Sequence, residues 1–416
     1  MARPRRALAR RAKRLLGYWR SERRTLRQGL VALALSTVAG FLAGLTLATI
    51  TGTLDALPGL LVLIPASVGL RGTIFGAMGA RFGTATHLGT FEVTLARGSV
   101  LRRNVEIGLA SSVLSSFYVA VLASLVASAF GKETISFAAL VTISVLGGTL
   151  GSLVILAVTL GLSVMSYRRG WDLDAVSTPM VTAIGDMVTL PSLFLATLVA
   201  RNAAANRAAA AICTVLTLST LVWVAARADR VVRRTIAEML PMVTLVPLLD
   251  VFAGALLEAN REALEAVPAV LILIPPFVSQ AGALGGILSS RLSSKLQLGV
   301  ITPRGRPEPP ALVDGSIIIG SGIAVFTLIG LLGTAIALTV GIDHPGVATM
   351  LGTTLFAGML AMPVILLVAY YLAVSTARFG LDPDNFGVPS ITGLMDLVGV
   401  GCLLFVLSVS GVLTHG

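Results

Sequence analysis

Three aspartates stand inside long apolar segments of the chain: Asp186, Asp250 and Asp396. A carboxylate at membrane depth costs roughly 2.5–3.5 kcal/mol on insertion scales, so it is a functional candidate wherever it occurs. Asp186 and Asp396 share their surroundings. Each follows a proline by seven residues (Pro179, Pro389) and a threonine by four (Thr182, Thr392), which puts Thr and Asp on one helix face. Two such carboxylates facing one another repel unless a cation lies between them. Oxygen donors suit hard divalent ions, and Mg²⁺, which gives up water reluctantly, can be held through its hydration shell by two carboxylates. The three histidines, His87, His344 and His415, lie in loops or at the end of the chain, so soft or borderline metals are poorly served. Asp250 has no such counterpart. It reads either as a pathway residue or as a buried carboxylate paired with an arginine or hydroxyls.

These residues must be positioned by helices in lipid. The 416 residues are 55% hydrophobic and 12% charged, with a mean hydropathy of +0.91, about half the charged content usual in a soluble protein. Apolar runs long enough to cross a bilayer occur near 29–50, 58–80, 105–129, 135–166, 176–200, 208–226, 238–258, 268–290, 313–340, 346–374 and 387–412. They are built from Ala, Val, Leu, Gly, Ser and Thr, which suits closely packed helices over outer-membrane strands. The expected fold class is an all-α polytopic membrane protein with about eleven transmembrane helices.

The net charge of +11 follows from topology. With the N-terminus inside, 26 of the 31 Lys and Arg fall on the cytoplasmic side, eleven of them in residues 1–28, while Arg71 is inside a span. That bias orients the chain with its N-terminus cytoplasmic and its C-terminus external, in the cell (plasma) membrane, and it explains the basicity without nucleic acid. Residues 21–27, SERRTLR, loosely resemble a twin-arginine signal. They read better as part of a retained tail that touches anionic membrane lipid. Cys213 and Cys402 lie in apolar stretches, so no disulfide frame or Cys-based zinc site is expected.

The sequence repeats itself. Leu61–Gly72 aligns with Leu271–Gly282 at an offset of 210, and the match continues through Gly76/Gly286, Arg81/Arg291, Gly89/Gly299, Asp172/Asp382, Asp174/Asp384 and Asp186/Asp396. The expected organisation is a basic tail (1–28), a first five-span repeat (29–200), a linking helix and loop (201–237) and a second five-span repeat (238–416). The sixth, linking span makes the repeats parallel, a pseudo-dimer within one monomer about an axis along the membrane normal. Second-type and fifth-type spans are expected to line that axis. Gly72 and Gly282, beside Pro65 and Pro275, loosen the second-type spans or pack them tightly. Arg71, matched by Ala281, is a pathway-lining candidate that pairs with an acid or snorkels. Asp172, Asp174, Asp382 and Asp384 form a candidate cytoplasmic mouth; each also suits a helix N-cap.

At these residues the sequence resembles the MgtE-type magnesium transport domain, in its tandem, solute-carrier form. The carrying motifs are Pro65–Gly72 with Ala80–Thr84, Ser290–Ser294, and Asp382-Pro383-Asp384-Asn385 followed by Pro389 and Asp396. The resemblance implies that Asp186 and Asp396 bind Mg²⁺ in a pore. It also marks two departures: Thr73 and Ala283 stand where the family places Asn, and the cytoplasmic sensor domains of the bacterial channels are not expected. The implied function is transport of divalent cations, Mg²⁺ first and Mn²⁺ or Co²⁺ as further candidates, with Na⁺ or H⁺ as a candidate coupling ion, and not catalysis. Two other classes were weighed. Gly185-Asp186 and Pro310-Ala311-Leu312 superficially fit an intramembrane aspartyl protease, whose two aspartates come from non-equivalent helices. A permease for an organic anion would lean on Arg71, which Ala281 does not match.

Overall fold

The computed structural model describes residues 23–49, 57, 60–87, 89–129, 135–169, 173–380 and 386–411. The basic tail before residue 23 and the mouth candidates Asp172, Asp382 and Asp384 lie outside the described residues. Among the described residues the long elements are all helices: α1 (Arg23–Thr49), α2 (Leu60–His87), α3 (Val100–Ala129), α4 (Phe137–Val141, a π-helical stretch Thr142–Gly147, then Gly148–Arg169), α5 (Leu173–Ala200), α6 (Ala203–Ala226), α7 (Arg230–Ala259), α8 (Pro268–Gln297), α9 (Pro309–Val340), α10 (Val347–Phe379) and α11 (Val388–Val409). Ten of these are long and apolar enough to cross a membrane, and α1 contributes the shorter apolar stretch Leu33–Ala48.

Local chemistry sets several helix ends. Asn202 caps α6 by accepting from the N–H groups of Ala204 and Ala205 at 3.1 and 3.0 Å. Asp229 caps α7 through the Val231 N–H and pairs with Arg103 at 2.7 Å. That N–H, followed by the guanidinium, holds its carboxyl below the usual range. Helices α9 and α10 end on Gly341 and Gly380 at φ of 75° and 63°, a left-handed conformation open to glycine at little cost.

The 210-residue offset is physical as well as textual. Arg81 Nε donates to Asn104 Oδ1 at 2.6 Å, and Arg291 Nη2 meets Asp314 Oδ1 at 2.9 Å. Ser144 Oγ donates to the Ser116 carbonyl, and Thr354 Oγ1 to the Phe326 carbonyl. Gly89 and Gly299 both turn at φ 68°. Each pair is one position seen twice, so the two halves are related by a pseudo-two-fold.

The halves exchange their first helices. Helix α1 packs on α8 and α7 packs on α2, whereas α1 and α7 meet the fifth-type helices α5 and α11 of their own repeats. Glycine permits the crossing: a Cβ at Gly254 would lie 2.6 Å from the Val62 carbonyl oxygen, and one at the equivalent Gly44 would overlap the Ile272 carbonyl. Small residues let helix backbones approach closely in lipid. Leu33, Phe41 and Leu47 of α1 share one buried cluster with most of the second repeat's core, and Val232, Met239, Val243 and Val251 of α7 share another with residues of the first. The linking helix α6 lies at the periphery against α3 and α4, with Ile212, Val215 and Val222 about two-thirds exposed, as a lipid-facing surface should be.

Candidate metal centre

Asp186 is on α5, Asp250 on α7 and Asp396 on α11, and they are 5%, 0% and 8% exposed. Ser279 of α8 donates its hydroxyl to Asp186 Oδ2 at 2.6 Å. Among the described residues, none donates a hydrogen bond to either oxygen of Asp250. The carboxyls of Asp250 and Asp396 are neighbours, since both approach the point where a Cβ of Gly69 would stand. Two ionised carboxylates this near repel one another, and a proton or a cation between them relieves that repulsion. Helix α2 makes room for it with Gly69, where a Cβ would overlap Asp250 Oδ2 and stand 3.4 Å from Asp396 Oδ2. Gly69 and Ser279 are the same position of the two repeats: one offers space, the other a hydroxyl.

Among the described residues, no three of His, Cys, Asp and Glu converge closely enough to hold a metal ion by themselves. The arrangement suits a cation that keeps water in its shell, with carboxylates and the Ser279 hydroxyl as outer partners.

The remaining sequence candidates fall around this centre. Gly282 packs on Thr392, its absent Cβ 2.7 Å from the threonine methyl, and Thr392 is one turn before Asp396 on α11. Pro389 is buried in the first turn of that helix. Gly72 lies one turn beyond Gly69 on α2, half-buried. Asp174, Pro179 and Thr182 fall on α5, with their side chains outside the described residues.

Arg71 has neither of the fates expected of it. Two residues beyond Gly69, it points about 200° round the helix from the aspartates. It is 2% exposed, so it does not snorkel. Its Nη1 donates to the Ser67 carbonyl and its Nη2 to Ser116 Oγ at 3.2 Å, and among the described residues no carboxylate pairs with it.

Sequence reasoning overlooked Ser279 and Gly69, and left the neighbour of Asp250 unidentified. The first two were findable, because the 210 offset aligns them inside the second-span motif. Asp250 corresponds to Gly40, so no repeat signal pointed to its place beside Asp396.

Known proteins fit this picture. Over 359 residues the chain is 25% identical to solute carrier family 41 member 2 of Mus musculus, covering 82% of this chain but 62% of that protein. It is 23% identical to solute carrier family 41 member 3 of Rattus norvegicus over 361 residues, covering 83% of this chain and 78% of that one. A solved eukaryotic MATE transporter overlays 93% of this chain and 96% of its own at 10% identity with a TM-score of 0.33, too low for a shared fold to be argued. The MgtE family model, described as a divalent cation transporter, matches residues 64–196 and 274–406. These are two stretches at the same 210-residue offset, together well over half of the protein, and the chain belongs to the MgtE family.

Proposed function

We propose that the protein moves divalent cations, Mg²⁺ above all, across the membrane along the pseudo-two-fold axis, with Asp186, Asp396 and Asp250 as the ion's carboxylate partners. The observation that carries this reading is the burial of Asp186, Asp250 and Asp396 on three helices, with Asp250 and Asp396 both beside Gly69 and, among the described residues, no donor at the Asp250 oxygens. Such a cluster is costly when empty and is relieved by positive charge. Gly69 admits the Asp250 carboxyl, and Ser279 adds a hydroxyl beside Asp186. The protein acts in the cell membrane with its N-terminus cytoplasmic and its C-terminus external, as one chain with internal pseudo-symmetry. Mn²⁺ and Co²⁺ are candidate secondary substrates and Na⁺ or H⁺ a candidate coupling ion.

The test is flux of Mg²⁺ into proteoliposomes loaded with an indicator, with and without a Na⁺ or pH gradient. The wild type should transport, and Asp186→Asn and Asp396→Asn should each lose most of the flux. Wild-type flux in both variants would refute the assignment. One observation favours a second reading: Asp250 and Asp396 both adjoin Gly69 and come from non-equivalent helices, the arrangement of a two-carboxylate protease. Cleavage of a membrane-embedded peptide that is abolished by Asp250→Asn, with no cation flux, would establish that reading instead.

A further inference from the structure

We propose that the first repeat holds a small inorganic anion of the halide class in a buried pocket between α2, α3, α4 and α5, as the counter-charge of Arg71. The proposal does not rest on the transport reading.

A guanidinium carries five N–H donors, and Arg71 uses two groups, on the Ser67 carbonyl and the Ser116 hydroxyl. Among the described residues its Nε has no partner, and the buried hydroxyls of Ser67, Ser112 and Ser152 have none either. A buried, unpaired charge in a membrane interior is strongly unfavourable, so a counter-charge is expected from somewhere. The glycines of α4 shape the space. At Gly148 a Cβ would overlap Arg71 Nη2, so that side of the guanidinium is closed. At Gly151 the point a Cβ would occupy is 3.5 Å from Ser192 Oγ and 3.7 Å from Arg71 Nε. The methyl-sized gap there faces the Arg71 Nε–H, while the Ser192 hydroxyl beside it already donates to the Val188 carbonyl at 2.8 Å, so the guanidinium is the donor on that side.

The second repeat is a built-in control. At the same offset Ser67 becomes Phe277, Arg71 becomes Ala281, Ser112 becomes Gly322, Ser116 becomes Phe326, Ser152 becomes Met362 and Ser192 becomes Cys402. Gly151 becomes Ala361, which carries the very Cβ that the first repeat lacks. Phe277 and Phe326 stack at 5.1 Å, and the space beside Gly322 is taken by Met362. The same fold position is thus dry and packed where no arginine is present, and polar with unmet donors where one is. A packing role alone would not require all six positions to change polarity together. The anion cancels a fixed positive charge on the face of α2 opposite Gly69, close to the acidic centre.

The test uses the full chain purified in neutral detergent, with thermal unfolding compared in chloride, bromide, sulfate and gluconate at one ionic strength. Bromide anomalous diffraction from crystals complements it. We expect Tm to be several degrees higher in either halide than in gluconate, and a bromide peak beside Arg71 Nε. Gly151→Ala, whose methyl meets only ordinary contacts, should keep the gluconate Tm and lose the halide increment. Arg71→Gln should lose it as well, and where that variant fails to fold, Gly151→Ala decides. No halide increment in the wild type, an equal increment in Gly151→Ala, or density of water only at the site would overturn the proposal. Stabilisation by sulfate equal to that by chloride, or only on adding anionic lipid, would equally overturn the halide assignment.

Discussion

Replacing Asp250 by Asn tests the acidic centre where its geometry is least ambiguous. The substitution keeps size and shape, removes one charge and offers an N–H to Asp396. Two ionised carboxylates with charge centres about 4 Å apart repel by on the order of 4 kcal/mol at an effective dielectric constant of 20, an upper figure for the Asp250–Asp396 pair beside Gly69. A proton shared between them reduces that cost, so about 4 kcal/mol is the ceiling of what the variant gains when metal is absent. Protein with the site empty should therefore unfold at a temperature equal to or above wild type. The response to Mg²⁺ should move the other way. A tenfold to hundredfold loss of affinity removes about 1.4–2.8 kcal/mol of ligand stabilisation at saturating metal. Thermal unfolding in EDTA and in Mg²⁺, beside proteoliposome flux, reads both effects. If Asp250→Asn lowers the metal-free Tm by several degrees while its Mg²⁺ increment stays at the wild-type value, Asp250 is a structural partner of Asp396 and the cation argument fails.

The helix exchange and the pseudo-symmetry supply further expectations. Gly254→Ala and Gly44→Ala drive a methyl against backbone of the opposite repeat and should each cost about 1–3 kcal/mol or more, read as lost Tm and monodispersity. Gly76→Ala, with nothing within 4 Å of the new methyl, should be neutral. Asp314 is fully buried with Arg291 at 2.9 Å and Lys295 at 2.5 Å; Asp314→Ala removes the buried carboxylate that both cations share and should cost about 3–5 kcal/mol. At the matched position Asn104→Asp would give Arg81 the carboxylate its counterpart has, so Tm should hold or rise; a fall like that of Asp314→Ala would deny the equivalence. Gly40→Asp should not fold stably, because a Cβ there would stand 2.8 Å from Pro276 Cα, and a Tm at the wild-type value would contradict that packing.

The helical fold and its duplication were legible because lipid imposes a simple code: long apolar runs, few charges, and Pro, Gly, Arg and Asp recurring at one offset. Asp186 and Asp396 carried that signal strongly. What the sequence did not announce was contact between elements remote along the chain. The exchange of α1 and α7 depends on Gly44 and Gly254 meeting carbonyls of Ile272 and Val62, and an apolar helix bears no mark of which repeat it will pack against. The surroundings of Arg71 were hidden for a related reason. An arginine in a span reads as paired or snorkelling, and only packing reveals that Ser67 and Ser116 meet it while one face of the guanidinium is left unmet.

The exchange also explains why the acidic centre is not symmetric. Helices α1 and α7 are equivalent, yet Asp250 of α7 corresponds to Gly40 of α1. The neighbour across the crossing differs as well: Pro276 of α8 stands against Gly40, and its counterpart on α2 is Ala66. A proline ring excludes any side chain at residue 40, whereas alanine and Gly69 leave the volume that the Asp250 carboxyl fills. On the opposite side Ser279 takes the place of Gly69 and supplies Asp186 with a hydroxyl where Asp396 has a second acid. Duplication alone would produce two identical half-sites. The substitutions at 40/250, 66/276 and 69/279 instead make one half hydroxyl-bearing and the other doubly acidic. A cation on the axis would therefore meet unequal partners, held more strongly toward Asp396 and Asp250 than toward Asp186.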